Sequence, residues 1–101
     1  MSHQKKHIPY GHHELDDGDI QAVVDVLKNG HITQGQTVED FGHALADYAG
    51  AKYGIATMNG TSALHIALLL SGVKPKDYVI VSNMTFVASA NSIKYTGADP
   101  I

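Results

Sequence analysis

The sequence predicts an α/β fold in which two helices precede a β-α-β-α run with parallel strands. Three observations predict it. Apolar residues recur at helical spacing in two early segments. Two short apolar runs of strand character, 53–58 and 78–81, each give way to a polar break and then a helix. The space between those runs is filled by a helix, the connection that leaves strands parallel and, almost always, right-handed in crossover.

The first element follows an extended arm, 1–15, which carries Pro9, Gly11 and four of the seven histidines. Asp16 is placed to cap a helix whose first turn holds Asp17 and Asp19, against the positive pole of the dipole. Ile20, Val23, Val24 and Leu27 repeat at i, i+3, i+4 and i+7, Lys28 lies near the end, and Gly30 is a natural stop. After a polar connector, 31–36, a second helix is expected over 37–49. Val38, Phe41, Leu45 and Tyr48 share one of its faces, Thr37 and Asp40 form a variant capping box, and Gly50 ends it.

The strand at 53–58 is broken by Asn59-Gly60-Thr61-Ser62. The helix at 63–71 is apolar on nearly every side and is therefore expected to be buried. Gly72 stops it, Lys74-Pro75-Lys76-Asp77 reads as a turn, and 78–81 as a buried strand. A polar break at 82–84 leads to a helix over 86–95, stopped by Gly97. Pro100-Ile101 has the character of an entry into another strand, so we expect the 101 residues to be a piece of a larger fold. The arm, 1–15, and the α/β segment, 16–101, are the two parts of the chain.

Composition narrows the function. All seven basic residues are lysines, against ten acidic ones, for a net charge of −3, so a nucleic-acid partner is not expected. Without cysteine there is no thiolate nucleophile and no cysteine zinc site. His12-His13-Glu14 lacks metal-ligand spacing, and no metal is expected. The N-terminus has no apolar signal core and the longest apolar stretch, 63–70, is interrupted by His65, so the reading is a cytoplasmic protein with no membrane partner.

Two sites carry chemistry. At Gly60-Thr61-Ser62 the backbone N–H groups of a helix start and two hydroxyls form an anion cradle, and Gly60 permits close backbone approach. The same residues would equally make an ordinary N-cap at a tight turn. No G-x-G-x-x-G, P-loop or G-x-S-x-G motif is present. In the loop after the second strand, Phe86 is either a ring-stacking aromatic or a core one. His65, one turn beyond Thr61, reads more simply as a packed histidine than as a ligand.

From Gly30 onward the residues resemble the N-terminal part of the DegT/StrS-like sugar aminotransferases, fold-type I pyridoxal-phosphate enzymes. The resemblance rests on Thr33-Gln34-Gly35, Val38-Glu39-Asp40-Phe41, Tyr48-Ala49-Gly50, Gly60-Thr61-Ser62-Ala63-Leu64-His65, Val79-Ile80-Val81 and Thr85-Phe86-Val87-Ala88-Ser89-Ala90-Asn91. Tyr10 and the helix from Asp16 fit the family's opening.

The resemblance implies the N-terminal part of the family's large cofactor-binding domain. It implies a phosphate-binding turn at Gly60, Thr61 and Ser62, and a ring-stacking Phe86 over pyridoxal 5'-phosphate (PLP). It further implies substrate contacts from Tyr10, Gly30, His31, Ile32 and Thr33. The implied activity is transfer of an amino group from glutamate to a keto group of a nucleotide-linked deoxysugar, in a homodimer. None of the seven lysines matches the family's cofactor-attaching lysine, so the chain by itself is expected to be inactive. Gly42 stands where relatives usually carry an acidic residue, Lys76 where glycine is common, and Ser82 where proline is common. The alternative is a non-catalytic phosphate- or nucleotide-binding α/β module or assembly protein.

Overall fold

A computed structural model describes Pro9 and residues 11–101. The chain divides into two units, Met1–Gly54 and Ile55–Ile101.

In the first unit, α1 (Asp17–Asn29) begins at Asp16, whose carboxylate accepts from the Asp19 N–H at 2.9 Å. The Asp19 carboxylate accepts in turn from the Asp16 N–H at 3.1 Å, so two otherwise orphaned donors are satisfied reciprocally. Gly30 ends α1 in an extended conformation, φ −105°, and its N–H donates to Val26 O at 2.9 Å. The second helix, α2 (Gln36–Ala49), starts one residue earlier than expected, from Gly35. Thr37 therefore lies inside the first turn and cannot cap; Gln36 Nε2 instead donates to Asp40 at 3.0 Å. Gly50, at φ +64°, closes α2 in the left-handed conformation expected of it.

The buried line of α2 is Gly42 and Ala46. The broader face of Val38, Phe41, Leu45 and Tyr48 is exposed. A Cβ on Gly42 would stand 2.6 Å from Gly54 O, and one on Gly54 would collide with Gly42 O. The backbone near residue 54 thus lies directly on α2, at a distance only paired glycines allow.

Residues 53–58, which run from the end of the first unit into the second, do not form the expected strand; a ladder requires a neighbouring backbone, and among the described residues none pairs with it. The helix α3 (Gly60–Leu70) starts three residues before the expected position, because Asn59 caps it. The strands are β1 (Tyr78–Val79) and β2 (Asp99–Pro100), with α4 (Ala88–Tyr95) between them. They are parallel, as expected, with Tyr78 opposite Asp99 and Val79 opposite Pro100. The entry into another strand at the chain's last residues is thereby realised as β2.

The core lies where α4 meets β2. Ala98 is 0% exposed, Ser92 1% and Ile93 3%, with Thr96 also buried. Ser92 Oγ donates to Ser89 O at 3.0 Å and Thr96 Oγ1 to Ile93 O at 2.7 Å, so the buried hydroxyls are satisfied within the helix. Gly97, at φ +82°, turns the chain from α4 into β2, where a Cβ would press against Pro75 at 3.0 Å.

The expected burial of α3 is not found. It packs against α4, but none of its residues is buried, and Leu64, Ile66, Leu69 and Leu70 are exposed. One neighbouring helix covers only one side of an all-apolar cylinder. The expected burial of 78–81 fails likewise: Tyr78 and Ile80 are exposed, because β1 has one neighbouring strand.

Candidate active site

Gly60, Thr61 and Ser62 are the first three residues of α3. Asn59 is extended, and its Oδ1 accepts from the Ser62 N–H at 2.8 Å, while Thr57 Oγ1 donates to Asn59 O at 3.0 Å. The Ser62 N–H is therefore taken, contrary to a cradle in which it faces outward. The Gly60 and Thr61 N–H groups have no acceptor among the described residues. A Cβ on Gly60 would meet nothing within 4 Å. No acidic residue stands in the first turn of α3, whereas α1 carries Asp17 and Asp19 there. The positive end of an eleven-residue helix is thus left uncompensated.

The second site residue, Phe86, is 76% exposed, whereas the simpler reading from the sequence alone is a core aromatic. It lines an open cleft of about 470 Å³ with Val81, Ser82, Asn83, Thr85, Val87, Ala90, Pro100 and Ile101. Thr85 Oγ1 and Ser89 Oγ share a hydrogen bond of 3.0 Å, and Ser82 Oγ accepts from the Met84 N–H at 3.2 Å, which together shape the loop that presents the ring. Gly60, Thr61 and Ser62 do not line this cleft.

The proposed substrate contacts Gly30, His31, Ile32 and Thr33 lie in the first unit and are exposed; Tyr10 lies outside the described residues. Ile32, with Thr37, lines a separate apolar cleft against Val23, Val26 and Leu27 of α1. His65 packs edge-on against Tyr95, ring centroids 5.5 Å apart, the structural role expected for it. His12 and His13 stack on one another, and among the described residues no three His, Cys, Asp or Glu side chains converge. Sequence reasoning missed Asn59 as the residue that orders the α3 start. Its signal was available, since Asn before a helix is among the strongest caps.

A family profile for DegT/DnrJ/EryC1/StrS aminotransferases matches residues 13–101. The chain belongs to this family. It is 51% identical over 67 residues to GDP-perosamine synthase of Caulobacter vibrioides, covering 66% of this chain and 18% of that protein. It is 36% identical over 102 residues to the spore coat polysaccharide biosynthesis protein SpsC of Bacillus subtilis, covering 100% of this chain and 26% of that one. Among solved structures it resembles Spr1654 of Streptococcus pneumoniae, assigned as a sugar aminotransferase, in its PLP-form. That match has a TM-score of 0.82 and 33% identity, covering 93% of this chain and 24% of that one. The PMP-form of the same protein gives a TM-score of 0.81. The chain thus spans about a fifth to a quarter of the length of these relatives.

DegT-family membership fixes the fold class as that of fold-type I aminotransferases, and the chain is helix-rich with a small parallel sheet. The residues present fit a PLP-type cofactor in chemical kind. Two unpartnered N–H groups and two hydroxyls at a helix start suit a phosphate, and an exposed aromatic ring suits a planar heterocycle.

Proposed function

We propose that this chain is the N-terminal, cofactor-holding segment of a PLP-dependent aminotransferase. The enzyme moves an amino group from glutamate to a keto group of a nucleotide-linked deoxysugar and works as a cytoplasmic homodimer. The observation that carries the reading is the α3 start, where the Gly60 and Thr61 N–H groups lack any acceptor among the described residues in a chain of this family. The relatives' names support a nucleotide-sugar substrate.

In this reading Gly60 and Thr61 donate backbone N–H groups to the cofactor phosphate, and the Thr61 and Ser62 hydroxyls add further donors. Asn59 holds the turn open by taking the Ser62 N–H. Phe86 covers one ring face and excludes water from it. The bound cofactor supplies the electron sink for the amino transfer. Gly30, His31, Ile32, Thr33 and Tyr10 bind the sugar nucleotide.

Among the described lysines, Lys94 pairs with Asp99 at 2.6 Å and Lys52 lies over the Tyr53 ring, and none of the seven in the sequence matches the family's cofactor-attaching lysine. The 101-residue chain alone is therefore expected not to turn over. The test is to incubate it with PLP, glutamate and GDP- or UDP-linked keto-deoxysugars, with borohydride trapping. The expected result is neither 2-oxoglutarate nor a stoichiometric lysine adduct. A polypeptide carrying this segment together with the family's lysine forms both. Amino transfer by the 101-residue chain alone, or none by the lysine-bearing polypeptide, contradicts the proposal.

A further inference from the structure

The chain holds two Asn-Gly pairs, Asn29-Gly30 and Asn59-Gly60. In such a pair the glycine amide nitrogen can attack the carbon of the asparagine side-chain amide. A new N–C bond closes a five-membered imide, the bond to the side-chain nitrogen breaks, and ammonia leaves. Water then opens the ring at either carbonyl, giving aspartate or isoaspartate. The net change consumes one water and releases one ammonia, and no oxidant or reductant is needed.

The structure separates the two pairs. Asn29 is the last residue of α1, and the Gly30 N–H is committed to Val26 O at 2.9 Å. A nucleophilic nitrogen there must first leave the helix. The Gly60 N–H has no acceptor among the described residues, and open space surrounds its Cα. Asn59 lies outside the helix in an extended conformation and is exposed. The Ser62 N–H donates to Asn59 Oδ1, which draws electron density from the carbon under attack. Ring closure needs rotation about Asn59 ψ, now 167°, and about its χ1 with release of the Ser62 N–H bond, both at a helix end, where fraying is easiest.

We propose that Asn59 is a deamidation site. Resting on the phosphate reading above, we further infer that its conversion to aspartate in the cofactor-free chain, where the Gly60 N–H is not donating to phosphate, sets a carboxylate at the phosphate turn and so weakens later cofactor binding. Aspartate caps a helix as well as asparagine does, so the helix survives while the anion is repelled.

The test ages the purified 101-residue chain at mildly alkaline pH, with peptide mapping by mass spectrometry. Asn59 is expected to convert about fivefold faster than Asn29, the factor that freeing one backbone hydrogen bond represents. Gly60→Ala is expected to slow Asn59 and leave Asn29 unchanged. An intact Asn59, or equal rates at the two sites, overturns the modification site.

A second arm titrates Asn59→Asp with pyridoxamine phosphate, with helix content followed by circular dichroism. Affinity is expected to fall about tenfold at unchanged helix content. If the wild-type chain binds the phosphate compound and Asn59→Asp binds it equally well, the consequence is overturned while the deamidation chemistry stands. If the wild-type chain shows no phosphate-dependent binding, the phosphate reading itself fails.

Discussion

Phe86 is the residue at which function and stability separate most cleanly. Its ring is 76% exposed, so it contributes little to the core. Phe86→Ala is expected to change the unfolding midpoint by less than about 0.5 kcal/mol equivalent. It should weaken retention of a pyridoxal-type cofactor by about 1 kcal/mol, the worth of one aromatic stacking contact. Thermal unfolding and cofactor titration of the same variant measure both; a large loss of stability would return Phe86 to a packing role.

Lys76 shows the opposite balance. It sits at φ +75° in the turn closed by the Asp77 N–H donating to Lys74 O at 3.1 Å, a conformation that disfavours a Cβ. Lys76→Gly removes that strain but frees the unfolded chain, for a net gain of about 0.5 kcal/mol. The denaturant midpoint should rise with an unchanged slope.

Among the elements, α2 depends on its glycine contact more than on its apolar face. Gly54→Ala drives a Cβ into Gly42 O and is expected to destabilise the first unit by about 1–3 kcal/mol, read from urea unfolding. Asp16→Ala removes the capping box of α1 and is expected to cost about 1 kcal/mol of helix stability, read by circular dichroism.

Helices were legible because their signals are local: Asp16, Gly50 and Gly97 each act where the sequence places them. The strand expected over 53–58 does not form, because strand identity depends on a partner backbone outside the segment. Burial of 63–71 was misread for the same reason, since apolar periodicity states what a helix would bury and not what covers it. At the candidate site the phosphate turn was visible in Gly60-Thr61-Ser62. That Asn59 occupies the Ser62 N–H depends on a side-chain orientation that residue spacing does not encode.

At the scale of the whole molecule, much apolar surface remains uncovered. Leu69 and Leu70 on α3, and Ile80 beyond β1, are exposed. Surfaces of this kind drive association, so the chain is expected to bind a hydrophobic dye and to sediment as concentration-dependent species; a dye-negative monomer would show that these faces are tolerated in water.

The proposed function stands or falls with phosphate binding at the α3 start. The direct measurement is amide NMR of the chain titrated with pyridoxamine phosphate and, in parallel, with pyridoxamine. Neither ligand carries an aldehyde, so neither modifies lysines. The Gly60 and Thr61 amide resonances are expected to shift saturably with the phosphate compound and not with its dephosphorylated form. Equal responses to both ligands, or no response at Gly60 and Thr61, would contradict phosphate binding there.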